Sequence, residues 1–141
     1  MRWRIVILSL ALALVTVSPL AKQAPVKSEP PKAQAKASTE VQKQATWVQK
    51  KSNKSLAKKY AQAGWGWSGK EWRCLDAIFL KESRYDHLAD NKNSTAFGIG
   101  QRLKESSKDP ATQLLKTYRY VKHRYETPCR AYRFHQIHNY Y

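Results

Sequence analysis

The chain has 141 residues, with 26 Lys and Arg against 10 Asp and Glu, and a formal charge of +16 at pH 7. That length leaves room for one folded domain of modest size. The charge excludes strongly basic partners and favours polyanions, without choosing among nucleic acid, anionic lipid and anionic wall polymer.

Residues 1–21 have the layout of a secretory signal. Arg2 and Arg4 give a positive start, Ile5 to Val17 is an uncharged apolar run, and the small residues Ser18 and Ala21 follow. Read on through Pro19 and Leu20 to Ala21, the same run offers the alternative of an uncleaved N-terminal anchor, although it falls short of the roughly 20 residues that span a bilayer. Either way the chain is expected to be exported, to a secreted, wall or periplasmic location. Export places nucleic acid last among the polyanions.

Residues 22–51 are rich in Lys, Ala, Gln, Pro and Ser and poor in large aliphatic side chains. Such a stretch buries too little apolar surface to offset its ordering entropy, so it is expected to be a disordered, positively charged linker. The charge is shared: residues 1–50 hold 8 Lys/Arg against 2 acids, and residues 51–141 hold 18 against 8.

Residues 52–141 form the expected domain. Its size makes it marginal without a covalent staple. Both cysteines, Cys74 and Cys129, lie in it, and in an exported protein they read either as a disulfide or as two buried thiols.

Three helices are predicted. The first runs from Ser52 or Asn53 to Ala63, with Leu56, Tyr60 and Ala63 inward and Gly64 ending it. The second follows Trp65-Gly66-Trp67. It is capped by a box of Ser68 and Glu71, and Trp72, Leu75, Phe79 and Glu82 recur at i, i+3, i+7 and i+10. The third starts at Asp109-Pro110 and carries Ala111, Leu114, Tyr118, Val121 and Tyr125 on one face before ending at Thr127-Pro128.

Glu82 therefore occupies the slot of the next apolar residue. A solvated glutamate, with a pKa of about 4.3, is protonated in roughly one molecule in 500 at pH 7. Burial against Trp72 and Phe79 raises that fraction and makes a general acid. On spacing alone the alternative, a helix-end glutamate turned to water or paired with Arg84, is the favoured reading. Between the second and third helices, Gly98 and Gly100 flank Ile99 and allow close approach of a ligand, and Gln101 both donates and accepts. The histidines His87, His123, His135 and His138 lack a carboxylate or cysteine pattern for a metal, and His135 and His138 read as surface residues. Ser83 has no nucleophile-elbow context.

In order and spacing, these residues resemble the lytic transglycosylases of the lysozyme-like superfamily. The resemblance rests on Trp72 with Cys74-Leu75, Glu82-Ser83, Ala89, Asn91 and Ser94. It continues through Ala96-Phe97-Gly98-Ile99-Gly100-Gln101, Asp109-Pro110-Ala111-Thr112-Gln113, Tyr120-Val121, Arg124-Tyr125 and Pro128-Cys129 with Ala131. Thr95 departs from it, standing where many relatives have glycine. The resemblance implies a mainly α, lysozyme-like domain with a glycan groove and Glu82 as the catalytic acid. It also implies Ser83, Gly98, Gln101 and Tyr120 as substrate-binding positions. The implied reaction cleaves the β-1,4 bond between N-acetylmuramic acid and N-acetylglucosamine in peptidoglycan and leaves 1,6-anhydro ends. It requires no metal or organic cofactor. The expected partners are glycan strands, with anionic wall polymers or a membrane surface met by the basic linker, and the chain is expected to act as a monomer.

Overall fold

The computed structural model describes residues 31–141, with side chains from residue 36 onward. The expected signal or anchor and the first part of the linker lie outside the described residues. Among those described, the protein is mainly helical: α1 (Pro31–Trp65), α2 (Gly69–Glu82), α3 (Pro110–Tyr125) and α4 (Pro128–His138), with two short strands, β1 (Ala96–Phe97) and β2 (Arg102–Leu103). No described helix is long and apolar enough to cross a membrane.

The first correction concerns the linker. From Pro31 the chain is helical, and what was read as linker up to 51 runs without a break into the first expected helix. Ala, Lys and Gln are good helix formers, and proline suits a first helical position. Residues 36–49 are nevertheless exposed, so this arm is held by local propensity and not by a core. Burial begins at Asn53, Ala57 and Ala61, one turn apart. This face differs from the expected one: Leu56 and Tyr60 are only partly buried and Ala63 is exposed. Small residues win the inner positions because Tyr118 of α3 comes close enough to donate its hydroxyl to the Ala57 carbonyl, at 2.8 Å. The helix runs through Gly64 and ends at Trp65, two residues beyond Ala63. Gly66 takes φ +67°, and the Trp67 N–H closes back on the Ala61 carbonyl at 2.9 Å, a glycine stop of the usual kind.

The α2 stripe is as expected, with Trp72, Leu75 and Phe79 buried and Ile78 beside them. Its capping box does not form. Ser68 is the N-cap without a side-chain bond, and the Glu71 carboxylate instead accepts the backbone N–H of Cys129 at 2.9 Å. A charged acceptor is worth more at the orphan amide of a neighbouring helix than in its own first turn. Cys74 and Cys129 are disulfide-bonded, with Cα atoms 5.0 Å apart.

α3 follows its expected boundaries, with the Asp109 carboxylate accepting the Thr112 N–H at 2.8 Å and Leu114, Tyr118 and Val121 fully buried. α4 was not expected. Thr127 caps it and Pro128 opens it, the same device as Asp109-Pro110, and Asn139 closes it in the left-handed conformation. It packs on α2 and α3.

Residues 83–109 have little regular structure, and two buried amides pin them. Asn53 donates to the Tyr85 carbonyl at 2.9 Å. Gln113 donates to the His87 carbonyl at 2.9 Å and the Ser107 carbonyl at 2.6 Å, while its side-chain oxygen accepts the Ile99 N–H at 2.9 Å. A polar loop without such partners would leave its buried backbone groups unsatisfied. The small sheet pairs Ala96 with Leu103 and Phe97 with Arg102, which turns the glycine-flanked segment back toward the end of α2.

Candidate functional site

A cleft of about 570 Å³ opens between the end of α2, the β1–β2 turn, α3 and the residues after α4. Glu82, Gln101 and Tyr120 line it, so three of the expected site residues meet there. Arg102, Tyr140 and Tyr141 complete the wall, with Asn91 and Ser94 at its side.

Glu82 is the last residue of α2, and its side chain is 16% exposed. It does not swing out to Arg84. Burial raises its pKa; the hydrogen bond with His135 and the charge of Lys81 pull against that shift without cancelling it. The acids that follow Glu82 in the chain behave differently. Burial of Asp86 acts to raise its pKa, but the Leu88 N–H and the Lys50 ammonium outweigh it and the net direction is down. Glu105 follows the same pattern, with Lys116 and the Ser107 N–H outweighing burial. Asp109 is lowered by Thr112, which it caps. None of these three, nor Asp90, lines the cleft. Among the described residues, Glu82 is the only acid that lines it.

The glycine segment works otherwise than expected. Gly98 is buried and holds φ +78°, and a Cβ there would lie 2.4 Å from the Gln113 side chain. It is a packing position, not a substrate contact. Gln113 cannot retreat, because its three hydrogen bonds hold the loop. Gly98→Ala is therefore expected to cost roughly 2–4 kcal/mol through left-handed strain and a lost buried hydrogen bond. A urea midpoint equal to that of the wild type would contradict this. Ser83 also faces inward, donating to the Ile99 carbonyl at 2.8 Å, and so braces the turn against α2. The Gln101 amide nitrogen is committed to the Ala89 and Gly98 carbonyls at 3.1 and 3.0 Å. Only its side-chain oxygen is left to meet a ligand, so the donor half of its expected role is withdrawn.

No protein-family model, curated protein or solved structure matches this chain.

Three further residues shape the site. Tyr141 lies against the cleft, its hydroxyl donating to the Gly100 carbonyl at 2.7 Å, and burial raises its pKa so that it stays a neutral phenol. Arg102 sits over the Tyr120 ring, 5.4 Å from its centroid, which places a cation on the cleft wall. His135 is the largest correction. It is buried, not at the surface, and its Nε2 lies 2.7 Å from the Glu82 carboxylate. His138, three residues on, is exposed and stacks on Phe134, as a surface residue should. Among the described residues, no group of His, Cys, Asp or Glu is arranged to hold a metal ion.

Proposed function

We propose that this protein is a peptidoglycan lytic transglycosylase with a lysozyme-like domain, cleaving the bond between N-acetylmuramic acid and N-acetylglucosamine with Glu82 as its single acid and base. One observation carries the reading: among the described residues, the only acid lining the cleft is also the one whose surroundings shift it toward its protonated form. A general acid has to hold a proton at working pH, and desolvation moves a carboxyl in that direction.

In the reaction, the protonated Glu82 gives its proton to the glycosidic oxygen as the C1–O bond breaks, the bonding pair leaving with that oxygen, through an oxocarbenium-like state. The resulting carboxylate takes the proton of the muramyl 6-hydroxyl. Its oxygen bonds to C1, closing the 1,6-anhydro ring and returning Glu82 to its starting form. Glycosidases that use water pair two carboxylates; among the described residues no second acid stands on the cleft wall, which favours the internal hydroxyl. Tyr120, Tyr140 and Tyr141 offer ring faces and hydroxyls for sugars, and Arg102 suits the lactyl carboxylate of a muramyl residue. The basic arm of α1 adds attraction to an anionic wall, measurable as retention on purified wall that weakens as salt rises.

Mass spectrometry of purified peptidoglycan digested by the protein tests the reading. Products ending in 1,6-anhydro-N-acetylmuramic acid are expected. Ends carrying an added water would make the protein a muramidase, and intact glycan with the protein bound would leave a non-catalytic wall binder.

A further inference from the structure

We propose that His135 is the positioning residue for Glu82: its Nε2–H donates to one carboxyl oxygen, fixes the group in the cleft and steadies the carboxylate that remains after proton transfer. This deepens the transglycosylase reading and rests on it.

The two residues are 53 apart in sequence and come from different helices, yet the nitrogen and oxygen are 2.7 Å apart with both side chains largely enclosed. The Tyr141 ring lies 6.2 Å from the imidazole, centroid to centroid, and is itself tied to Gly100. The imidazole therefore sits between the end of α2 and the tyrosine that walls the cleft.

The tautomer follows from the other ring nitrogen. Nδ1 of His135 is the one buried side-chain nitrogen or oxygen among the described residues without a hydrogen-bond partner. A proton there would bury a donor with nothing to accept it, whereas a bare lone pair is the more tolerable orphan. The neutral ring then carries its hydrogen on Nε2 and donates to Glu82. With one carboxyl oxygen occupied as an acceptor, the transferable proton resides on the other. His135 keeps its own proton throughout, so the balance of the reaction is unchanged: one proton leaves Glu82 for the glycosidic oxygen and one returns from the 6-hydroxyl. The donor is fixed before charge develops, the condition under which a hydrogen bond favours the transition state over the ground state.

The other ionisable groups around the pair are Lys81 on α2, Arg102 on β2, Tyr120 on α3 and Tyr141 after α4. Lys81 and His135 both favour the carboxylate. Loss of His135 thus lets desolvation act with less opposition and moves the Glu82 titration upward.

Two variants separate positioning from mere support. His135→Leu removes the donor; His135→Gln keeps an N–H the same number of bonds from the backbone as Nε2, without an imidazole titration. For His135→Leu, kcat on purified peptidoglycan is expected to fall about 10²-fold, the usual cost of one preorganised donor, with KM little changed and the alkaline limb of the pH–rate profile moved to higher pH. His135→Gln is expected to recover most of kcat. A folded His135→Leu variant with kcat within about threefold of the wild type overturns the proposal, as does failure of His135→Gln to differ from it. An independent readout needs no activity: the Glu82 side-chain carboxyl, followed by 13C NMR against pH, is expected to titrate at higher pH in His135→Leu. An unmoved midpoint overturns the pairing. Wild-type protein that leaves peptidoglycan intact defeats the transglycosylase reading, and the NMR titration still decides whether His135 holds Glu82.

Discussion

Glu82→Gln is expected to reduce the release of anhydro products from purified peptidoglycan by about 10²- to 10⁴-fold, the span that a positioned acid or base contributes. The substitution keeps the shape and removes the transferable proton, so both half-reactions stop. The fold is not expected to suffer. Glu82 has a folded pKa raised above its unfolded value, chiefly by burial. Such a group favours the folded state most where both states are protonated, below its unfolded pKa, and that advantage is lost as pH rises through the folded pKa. At neutral pH an ionised Glu82 is thus a cost, and the neutral amide is expected to leave Tm equal or higher, with the difference vanishing toward acid pH. Activity that survives the substitution would remove Glu82 from the mechanism. A collapse of Tm at pH 7 would instead mean that the carboxylate holds the fold through His135.

The same logic that singled out Glu82 was available for its partner. Glu82 stood out because it filled the fourth place in an otherwise apolar helical stripe. On α4, Pro128, Ala131 and His135 recur at i, i+3 and i+7, and all three are buried. Thr127-Pro128 signals a helix start as plainly as Asp109-Pro110 does. The pattern was hidden because α4 has 11 residues with arginines between the buried positions, and because Pro128 had already served as the stop for α3. What no single stripe encodes is that the two polar slots face each other: that depends on how α2 and α4 pack, a tertiary fact. The glycine segment was misread for a related reason. Gly98 does permit close approach, but the group that approaches is Gln113, not a ligand. On α1 the failure lay elsewhere. The arm lacks an apolar face, and a stripe is the usual signal for a helix, whereas propensity alone extends this one from a nucleus that the core already holds.

Breaking the Cys74–Cys129 bond is expected to cost about 4 kcal/mol. The bridge joins residues 55 apart, and closing a loop of that length removes that much chain entropy from the unfolded state. For a domain of this size the loss lowers Tm by roughly 15–25 °C. Its place in the fold says more than its magnitude. Cys74 to Glu82 is about 12 Å along α2, and Cys129 to His135 about 9 Å along α4. Both runs start at the disulfide and end at the hydrogen-bonded pair, so the two helices lie side by side in the same direction, stapled covalently at one end and polar at the other. The staple sets the spacing of the helices, and the pair completes the cleft. Loss of the staple should therefore act through the folded population and not through the chemistry. The Cys74→Ser, Cys129→Ser double variant is expected to melt well below the wild type in calorimetry. At a temperature safely under its own midpoint it should digest peptidoglycan within severalfold of the wild-type rate. If it stays fully folded there but has lost kcat as His135→Leu does, the bridge tunes the Glu82–His135 contact directly, and the division of labour between the two ends of α2 and α4 is wrong.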